Sequence, residues 1–234
     1  MRLDLKKLDT FTKCPMALCY PGKNKKSLFT EQQKIFNLII TKAILQVMET
    51  QHRVDWKRIV GWVDKETFKN VNVFDKEQYD VAKKNSEHVL LSLGIWYEQL
   101  YLQWTAESFV NVPLGVEKSG VFLEGKASVI SLMNPIVCTD VTDKFFSTKR
   151  ECFNDITVRA KAWLISEHLR CDEVSMQCLS LGKRGGLEIT RVDYDKKALN
   201  ETALHVNNIC RIIKQKLFYP SGNCEYVDCG YHCK

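Results

Sequence analysis

The strongest constraint on the fold is a change of hydrophobic pattern close to residue 108. Beyond it, short runs rich in Val, Ile and Phe are separated by the turn sequences KSG and MNP. This pattern predicts three strands, near 109–117, 120–131 and 135–142.

A helix, two further strands and a last helix are predicted downstream. The segment ECFNDITVRAKAWLISEHL has an apolar helical face, and KALNETALHVNNICRIIKQKLF has helical periodicity again. Between them, EVSMQCLSL and GLEITRVDY have strand character and are joined by the turn GKRGG. Strands that alternate with helices indicate an α/β fold, in which a mixed central sheet of about five strands is flanked by helices.

The residues upstream of this core have helical periodicity, as in SLFTEQQKIFNLIITKAILQVMET. A chain of 234 residues suits one compact unit. Within that unit we predict an N-terminal segment, a helical lobe, an α/β core and a C-terminal cysteine cluster, at residues 1–27, 28–107, 108–218 and 219–234.

Composition points to a cytoplasmic protein with reduced thiols. The sequence has no apolar run of the roughly 18 residues that a membrane span needs, and no apolar signal core near its start. Cytosolic cysteines rarely form disulfides, so we interpret most of the 10 cysteines as small core residues. The net charge of +6 permits nucleic-acid binding without requiring it.

The sequence CEYVDCGYHCK departs from this pattern, because it places Cys224, Cys229 and Cys233 in a polar, aromatic tail. Such density is typical of a metal site or a disulfide. A tetrahedral thiolate site needs four ligands, and three cysteines leave one to be supplied from elsewhere.

Three features together resemble the RecB-like branch of the PD-(D/E)XK nuclease superfamily, in particular its iron–sulfur members. These members are the AddB-type helicase–nuclease subunits and the CRISPR-associated four-cysteine exonucleases. The features are the strand–helix order, a cysteine followed by proline in FTKCP, and the run KLFYPSGNCEYVDCGYHC. The resemblance covers nearly the whole chain and implies a restriction-endonuclease-like core.

The same resemblance supplies the missing thiolate. It implies that Cys14, or alternatively Cys19, joins Cys224, Cys229 and Cys233 around a [4Fe–4S] cluster. Zinc is the alternative, because four thiolates suit both. Such a centre would hold the two ends of the chain together. The spacing of the three terminal cysteines departs from the family, which usually has a tight pair and then a wider gap.

The nuclease chemistry that the resemblance implies requires carboxylates and a lysine on adjacent strands, with Mg²⁺ or Mn²⁺ bound between them. The family's G-x-x-D stretch corresponds to GKAS here, so Ser128 stands where an acid belongs. Its D/E-x-K corresponds to DVT, which keeps Asp140 but has Thr142 in place of the lysine. We therefore expect that catalysis has been lost.

An alternative keeps catalysis through a migrated lysine. Strand alternation would place Glu124, Lys126 and Ser128 on one face. Lys126 would then replace the missing lysine, and Glu124 or Asp143 would help Asp140 to hold the metal. In that case the protein is a metal-dependent deoxyribonuclease that acts as an exonuclease.

An inactive copy would keep its groove for nucleic acid. Candidate phosphate contacts are Lys126, Arg159, Lys161, Lys183 and Arg184. Trp163 is either a base-stacking ring or a core residue, and the helical pattern favours the core. The leading hypothesis is a catalytically degenerate protein that binds nucleic acid, or serves as a subunit of a DNA-processing or transcription complex. The third hypothesis, after the inactive protein and the active exonuclease, is a purely structural subunit.

Overall fold

The computed structural model describes residues 1–15, 61, 62, 65, 108–142, 144, 146–181 and 187–218. Its α/β architecture confirms the predicted fold class. In chain order the elements are β1 (Arg2–Asp4), α1 (Leu5–Lys13), β2 (Ser108–Lys118), β3 (Val121–Ser131), β4 (Ile136–Val141), α2 (Lys149–Asn154), α3 (Ile156–Leu169), β5 (Val174–Leu181), β6 (Leu187–Tyr194) and α4 (Lys196–Lys214).

The strands form one mixed sheet of six strands, which divides along β3. One edge of β3 pairs along its length with β2 in an antiparallel hairpin. The other edge is shared, because β1 runs parallel to residues 122–124 and β4 runs antiparallel to residues 129–131. The sheet then continues through a parallel β4–β5 pair and an antiparallel β5–β6 pair. The edge of β3 between residues 124 and 129 is thus a fork.

Helix α3 covers the inner face of the sheet. It contacts β2, β3 and β5 as well as α1 and α4. Its central residues are almost fully buried, including Trp163 at 1% exposed and Leu164 at 1% exposed. Burial of large apolar side chains on this scale is the main source of stability in such a core.

The pleat of β3 shifts by one residue at the fork. Ala127 and Ile130 lie three residues apart yet belong to the same buried cluster, which strict alternation does not allow. Opposite Ser128, Asn111 has a φ of 58° and is missing from the otherwise continuous ladder. Asparagine tolerates this left-handed conformation better than most residues. The expectation that Ser128 shares a face with Lys126 is therefore wrong, since the shift turns Ser128 inward.

The predicted strands match the observed ones to within one or two residues, but the helix predicted across 151–169 is two helices. Asp155 ends α2, and its side chain accepts hydrogen bonds from the backbone N–H groups of Thr157 and Val158 at the start of α3. An aspartate in this role is a typical N-cap. The strand β1 and the helix α1 were not predicted.

Several predictions concern residues outside the described ranges. These are the helical lobe at 28–107 apart from three residues, the basic turn with Lys183 and Arg184, and the cluster at 219–234. Within the part of the chain that the structure describes, no helix is both long and apolar enough to cross a membrane.

Candidate active-site cleft

An open cleft of about 960 Å³ lies at the fork of the sheet. It is bounded by the start of α1, the middle of the β2–β3 hairpin, the end of β4 and one side of α3. Its charged lining residues are Asp4, Lys6, Asp9, Glu124, Lys126, Asp140, Lys144 and Lys161. Among the described residues, four carboxylates and four ammonium groups thus line one cavity.

Asp140 occupies the inner part of this cleft and has partners on both carboxylate oxygens. Its Oδ1 accepts hydrogen bonds from the backbone N–H of Ser128, at 3.2 Å, and from the Ser128 hydroxyl, at 3.0 Å. Its Oδ2 forms a short ion pair with Nζ of Lys161 on α3. The side chains of Lys161 and Asp140 are only 14% and 12% exposed, so this pair is largely removed from water.

The surroundings of this pair favour the charged form of Lys161. Burial alone would lower the pKa of Lys161, but the adjacent charge of Asp140, the hydrogen bond to it and the neighbouring cysteine groups together outweigh burial and raise the pKa above the usual range for lysine. The neighbouring thiol of Cys138 is buried, and burial together with the charge of Asp140 raises its pKa far above the usual value. Cys178, opposite Asp140 in the β4–β5 ladder, also has a strongly raised pKa, because of a hydrogen bond with Cys152 and burial. Both thiols are therefore neutral at pH 7 and add no charge.

Glu124 and Lys126 line the cleft but do not join this pair. Lys126 is exposed, and within the described ranges it forms no ion pair with Asp140. Thr142, at the end of β4, accepts a hydrogen bond from the backbone N–H of Lys144, at 3.1 Å. Among the described residues, no group of three or more His, Cys, Asp or Glu side chains is arranged to hold a metal ion.

A second cluster, which was not predicted, forms one wall of the cleft. Nζ of Lys144 lies 3.0 Å from Oδ1 of Asp9 and 2.6 Å from Oδ2 of Asp155. Burial opposes its charge, but the hydrogen bonds and charges of the two aspartates outweigh burial and raise the pKa of Lys144. Burial likewise opposes the charge of Asp155, but bonds from Lys144 and Thr157 hold its pKa below the usual range. This Lys144 cluster connects the loop after β4 to α1 and to the N-terminus of α3.

Two of the candidate nucleic-acid contacts, Arg159 and Trp163, are hydrogen-bonded to other residues of the protein. Nε of Arg159 donates to Oγ1 of Thr202 on α4, at 3.1 Å. Trp163 is 1% exposed, and its indole N–H donates to Glu167, at 3.2 Å. The core interpretation of Trp163 is confirmed, and its ring is not available for stacking on a base.

Cys14, the first cysteine proposed as a metal ligand, lies directly after α1 and is fully buried. Phe11, one turn earlier on α1, makes an edge-on contact with Phe218, with ring centroids 6.4 Å apart. Phe218 is the last described residue before the cysteine cluster. The two ends of the described chain therefore meet beside Cys14, although Cys224, Cys229 and Cys233 lie outside the described ranges.

Comparison with solved structures supports the fold. The chain is similar to the crystal structure of a candidate exonuclease from Eubacterium rectale, with a TM-score of 0.57 and 15% identity, over 100% of this chain and 89% of that chain. At this identity the similarity shows the fold alone. The crystal structure of SSO0001 has a TM-score of 0.33 at 12% identity, over 83% of this chain and 93% of that chain, and carries no argument. No family model and no curated protein matches the chain.

Proposed function

We propose that this protein has a nuclease-like fold without nuclease activity, and that it binds nucleic acid as part of a DNA-processing or transcription complex. The main support for the proposal is that both carboxylate oxygens of Asp140 already have partners within the protein. Ser128 uses one carboxylate oxygen and Lys161 uses the other, and among the described residues no group of three or more potential metal ligands forms around them.

Hard cations such as Mg²⁺ are usually held by one or two carboxylates together with substrate phosphates. Here the ammonium of Lys161 already neutralises the only acid that the family pattern retains. A metal ion would have to displace an ion pair that is shielded from water, and a buried partner left without its countercharge is costly. The cleft is therefore suited to binding a strand without cutting it.

The fold and the open cleft support a nucleic-acid ligand. A candidate exonuclease from Eubacterium rectale has a similar fold. Of the four lysines that line the cleft, Lys6 and Lys126 form no ion pair within the described part of the chain, so their charges are available to phosphates.

The test is a pair of assays on one preparation. Labelled single- and double-stranded DNA is incubated with Mg²⁺ or Mn²⁺, and binding is measured across a salt series. We expect no cleavage that depends on Asp140, and binding whose affinity falls steeply with salt. Cleavage that disappears in Asp140→Asn would contradict the loss of catalysis. Absent binding would leave the purely structural subunit as the explanation.

A specific contact favours active exonuclease as the second candidate. Lys161 reaches Asp140 from α3, whereas Lys126 does not, so Lys161 is the better placed substitute for the lysine missing at Thr142. If the protein is active, cleavage will be lost in Asp140→Asn and in Lys161→Met but kept in Lys126→Met. Loss in Lys126→Met alone would instead support Lys126 as the migrated lysine.

We also propose that Cys14, Cys224, Cys229 and Cys233 hold a [4Fe–4S] cluster, with zinc as the alternative. Phe218 packs beside Phe11, and Cys224 follows Phe218 by six positions in sequence, a reach of about 20 Å when extended. The position of Cys14 is thus compatible with a shared centre. Thiolates suit such a cluster, whose role here would be to stabilise the contact between the chain ends.

Anaerobic purification tests the metal centre directly. We expect a brown protein whose iron and inorganic sulfide are lost in Cys14→Ser. A colourless protein that contains stoichiometric zinc would show that the site holds zinc and not an iron–sulfur cluster. A metal content unchanged in Cys14→Ser but lost in Cys19→Ser would reassign the fourth ligand.

A further inference from the structure

The outer end of the cleft carries an aromatic side chain that no described core contact explains. Phe122 on β3 lines the cleft and is 36% exposed, which is high for a large apolar ring. Arg2 on the adjoining β1 places its guanidinium carbon 5.7 Å from the centre of this ring. Arg2 and Phe122 are register partners, so the contact is fixed by the strand pairing.

Gly115 allows this ring to lie across the β2–β3 hairpin. A Cβ at position 115 would come within 2.6 Å of Cζ of Phe122. The ring therefore occupies space that a side chain at position 115 would fill, and part of it remains open to water. A platform with fixed orientation loses little conformational entropy when a flat ligand stacks on it.

The charges on β1, α1 and β3 around the cleft favour an anionic ligand. Asp4 caps α1 by accepting from the backbone N–H of Lys7 and also pairs with Nζ of Lys7, at 3.6 Å. Within the described part of the chain, Arg2, Lys6, Lys126 and Glu124 form no ion pair, which leaves three positive charges against one negative charge. A planar apolar surface beside unpaired cations is the arrangement that single-stranded nucleic acids bind, through base stacking and phosphate contacts.

We propose that Phe122 and Arg2 form a stacking platform for an unpaired base, and that the protein therefore binds single-stranded nucleic acid in preference to duplex. This inference rests on the proposed nucleic-acid binding and specifies its ligand. Along β3 the platform is six residues from Ser128, or about 20 Å at a strand rise of ~3.3 Å per residue. That length corresponds to about six stacked nucleotides at ~3.4 Å each.

The experiment compares Phe122→Ala with Phe109→Ala. Phe109 is 50% exposed on the same hairpin but does not line the cleft, so it controls for loss of an exposed aromatic ring. Binding is measured by fluorescence anisotropy with a single-stranded oligonucleotide, its duplex, and a strand of the same length made of abasic sites. Thermal denaturation of each variant verifies that it is folded.

For Phe122→Ala we expect about tenfold weaker binding to the single strand, because base–aromatic stacking contributes ~1–3 kcal/mol per base. Its affinity for duplex and for the abasic strand will be unchanged, and so will the dependence on salt, because no phosphate contact is lost. Phe122→Trp will bind at least as tightly as the wild type, and Phe109→Ala will match it.

Two outcomes would overturn the platform, and they have different consequences. If the wild type binds nucleic acid but Phe122→Ala and Phe109→Ala bind equally well, the platform is wrong and the proposed function stands. If the wild type binds neither strand form at any salt concentration, the platform and the proposed nucleic-acid binding are both overturned.

Discussion

Two lysine–aspartate centres in the cleft have the same chemistry and different surroundings. Lys161 and Asp140 are 14% and 12% exposed and form a single pair at the fork of the sheet. Lys144 is 27% exposed and is shared between Asp9 and Asp155 at the cleft wall. The first centre pairs one acid with one lysine, whereas the second connects three elements that shape the cleft. The effect of a charge in this cleft therefore depends more on which residue it pairs with, and on how buried that pair is, than on the number of charges present.

Removing the lysine of the buried pair has the largest expected effect. Lys161→Met leaves the carboxylate of Asp140 without a countercharge, and breaking a buried pair in this way costs about 3–5 kcal/mol. Urea denaturation measures this loss. The matched control is Lys196→Met, because Lys196 and Asp172 form a pair in which both side chains are 69% exposed. We expect that control to change stability by less than about 1 kcal/mol.

The double variant Lys161→Met with Asp140→Leu separates pairing from packing. Replacing both members of a buried pair with apolar residues is often neutral or stabilising, so most of the lost stability should return. A double variant as unstable as Lys161→Met would show that packing around Lys161, and not its charge, is what matters.

The Lys144 cluster should lose less stability than the buried Lys161–Asp140 pair when its lysine is replaced by methionine. Lys144→Met should cost about 1–2 kcal/mol, in the range of hydrogen bonds to charged groups. Asp9 keeps Lys13 at 2.8 Å, and Asp155 keeps its bonds to the first turn of α3, so neither acid is left without a partner. The same urea titration compares the two lysines directly. If Lys144→Met lost more stability than Lys161→Met, the Lys144 cluster, and not the buried pair, would be the more important of the two for the fold.

The contribution of the Lys144 cluster to folding stability should be constant over a pH range that is bounded by the titration of Asp155 and of Lys144. The pKa of Asp155 is lowered on folding, so its contribution is complete above the unfolded value of about 3.9 and is lost as the pH falls through the folded value. The pKa of Lys144 is raised, so its contribution is complete below 10.5 and is lost as the pH rises through the folded value. The stability difference between wild type and Lys144→Met should therefore be constant between these limits and shrink outside them. A difference that changes steadily between pH 5 and pH 9 would mean that other groups control it.

The smallest expected effect concerns Ser128, which donates to Asp140. Ser128→Ala removes the hydroxyl donor to Asp140 but keeps the backbone N–H donor, so we expect a loss of about 1 kcal/mol. Thermal or urea denaturation will measure it. A loss close to that of Lys161→Met would mean that Ser128, and not Lys161, is the main partner of Asp140.

The core strands could be predicted because their signals are local. Apolar alternation and the KSG and MNP turns define β2, β3 and β4 without reference to the rest of the chain. The break at Asp155 had a local signal as well, since aspartate is a preferred N-cap, but the apolar face that continues across it obscured the boundary. The strand β1 has only three residues and no alternation to detect.

The site was less predictable, because its contacts join distant residues. Asp140 was identified by the family pattern, but its partner Lys161 lies on another element and had been interpreted as a phosphate contact. Lys144 and Asp9 are more distant still, at 135 residues apart in sequence. The pleat shift at Ser128 depends on the left-handed backbone of Asn111 in the opposite strand, and alternation within β3 alone does not reveal it.

The pairing of β1 with β3 has a consequence for the order in which the molecule assembles. Leu3 is the register partner of Leu123, so the ribosome must synthesise about 120 further residues before the first strand meets its neighbour. Contacts between such distant residues carry a high cost of loop closure and tend to form late. The cleft wall that follows β1 is therefore completed only after the β2–β3 hairpin exists, and a growing chain would expose the apolar underside of α1 until then.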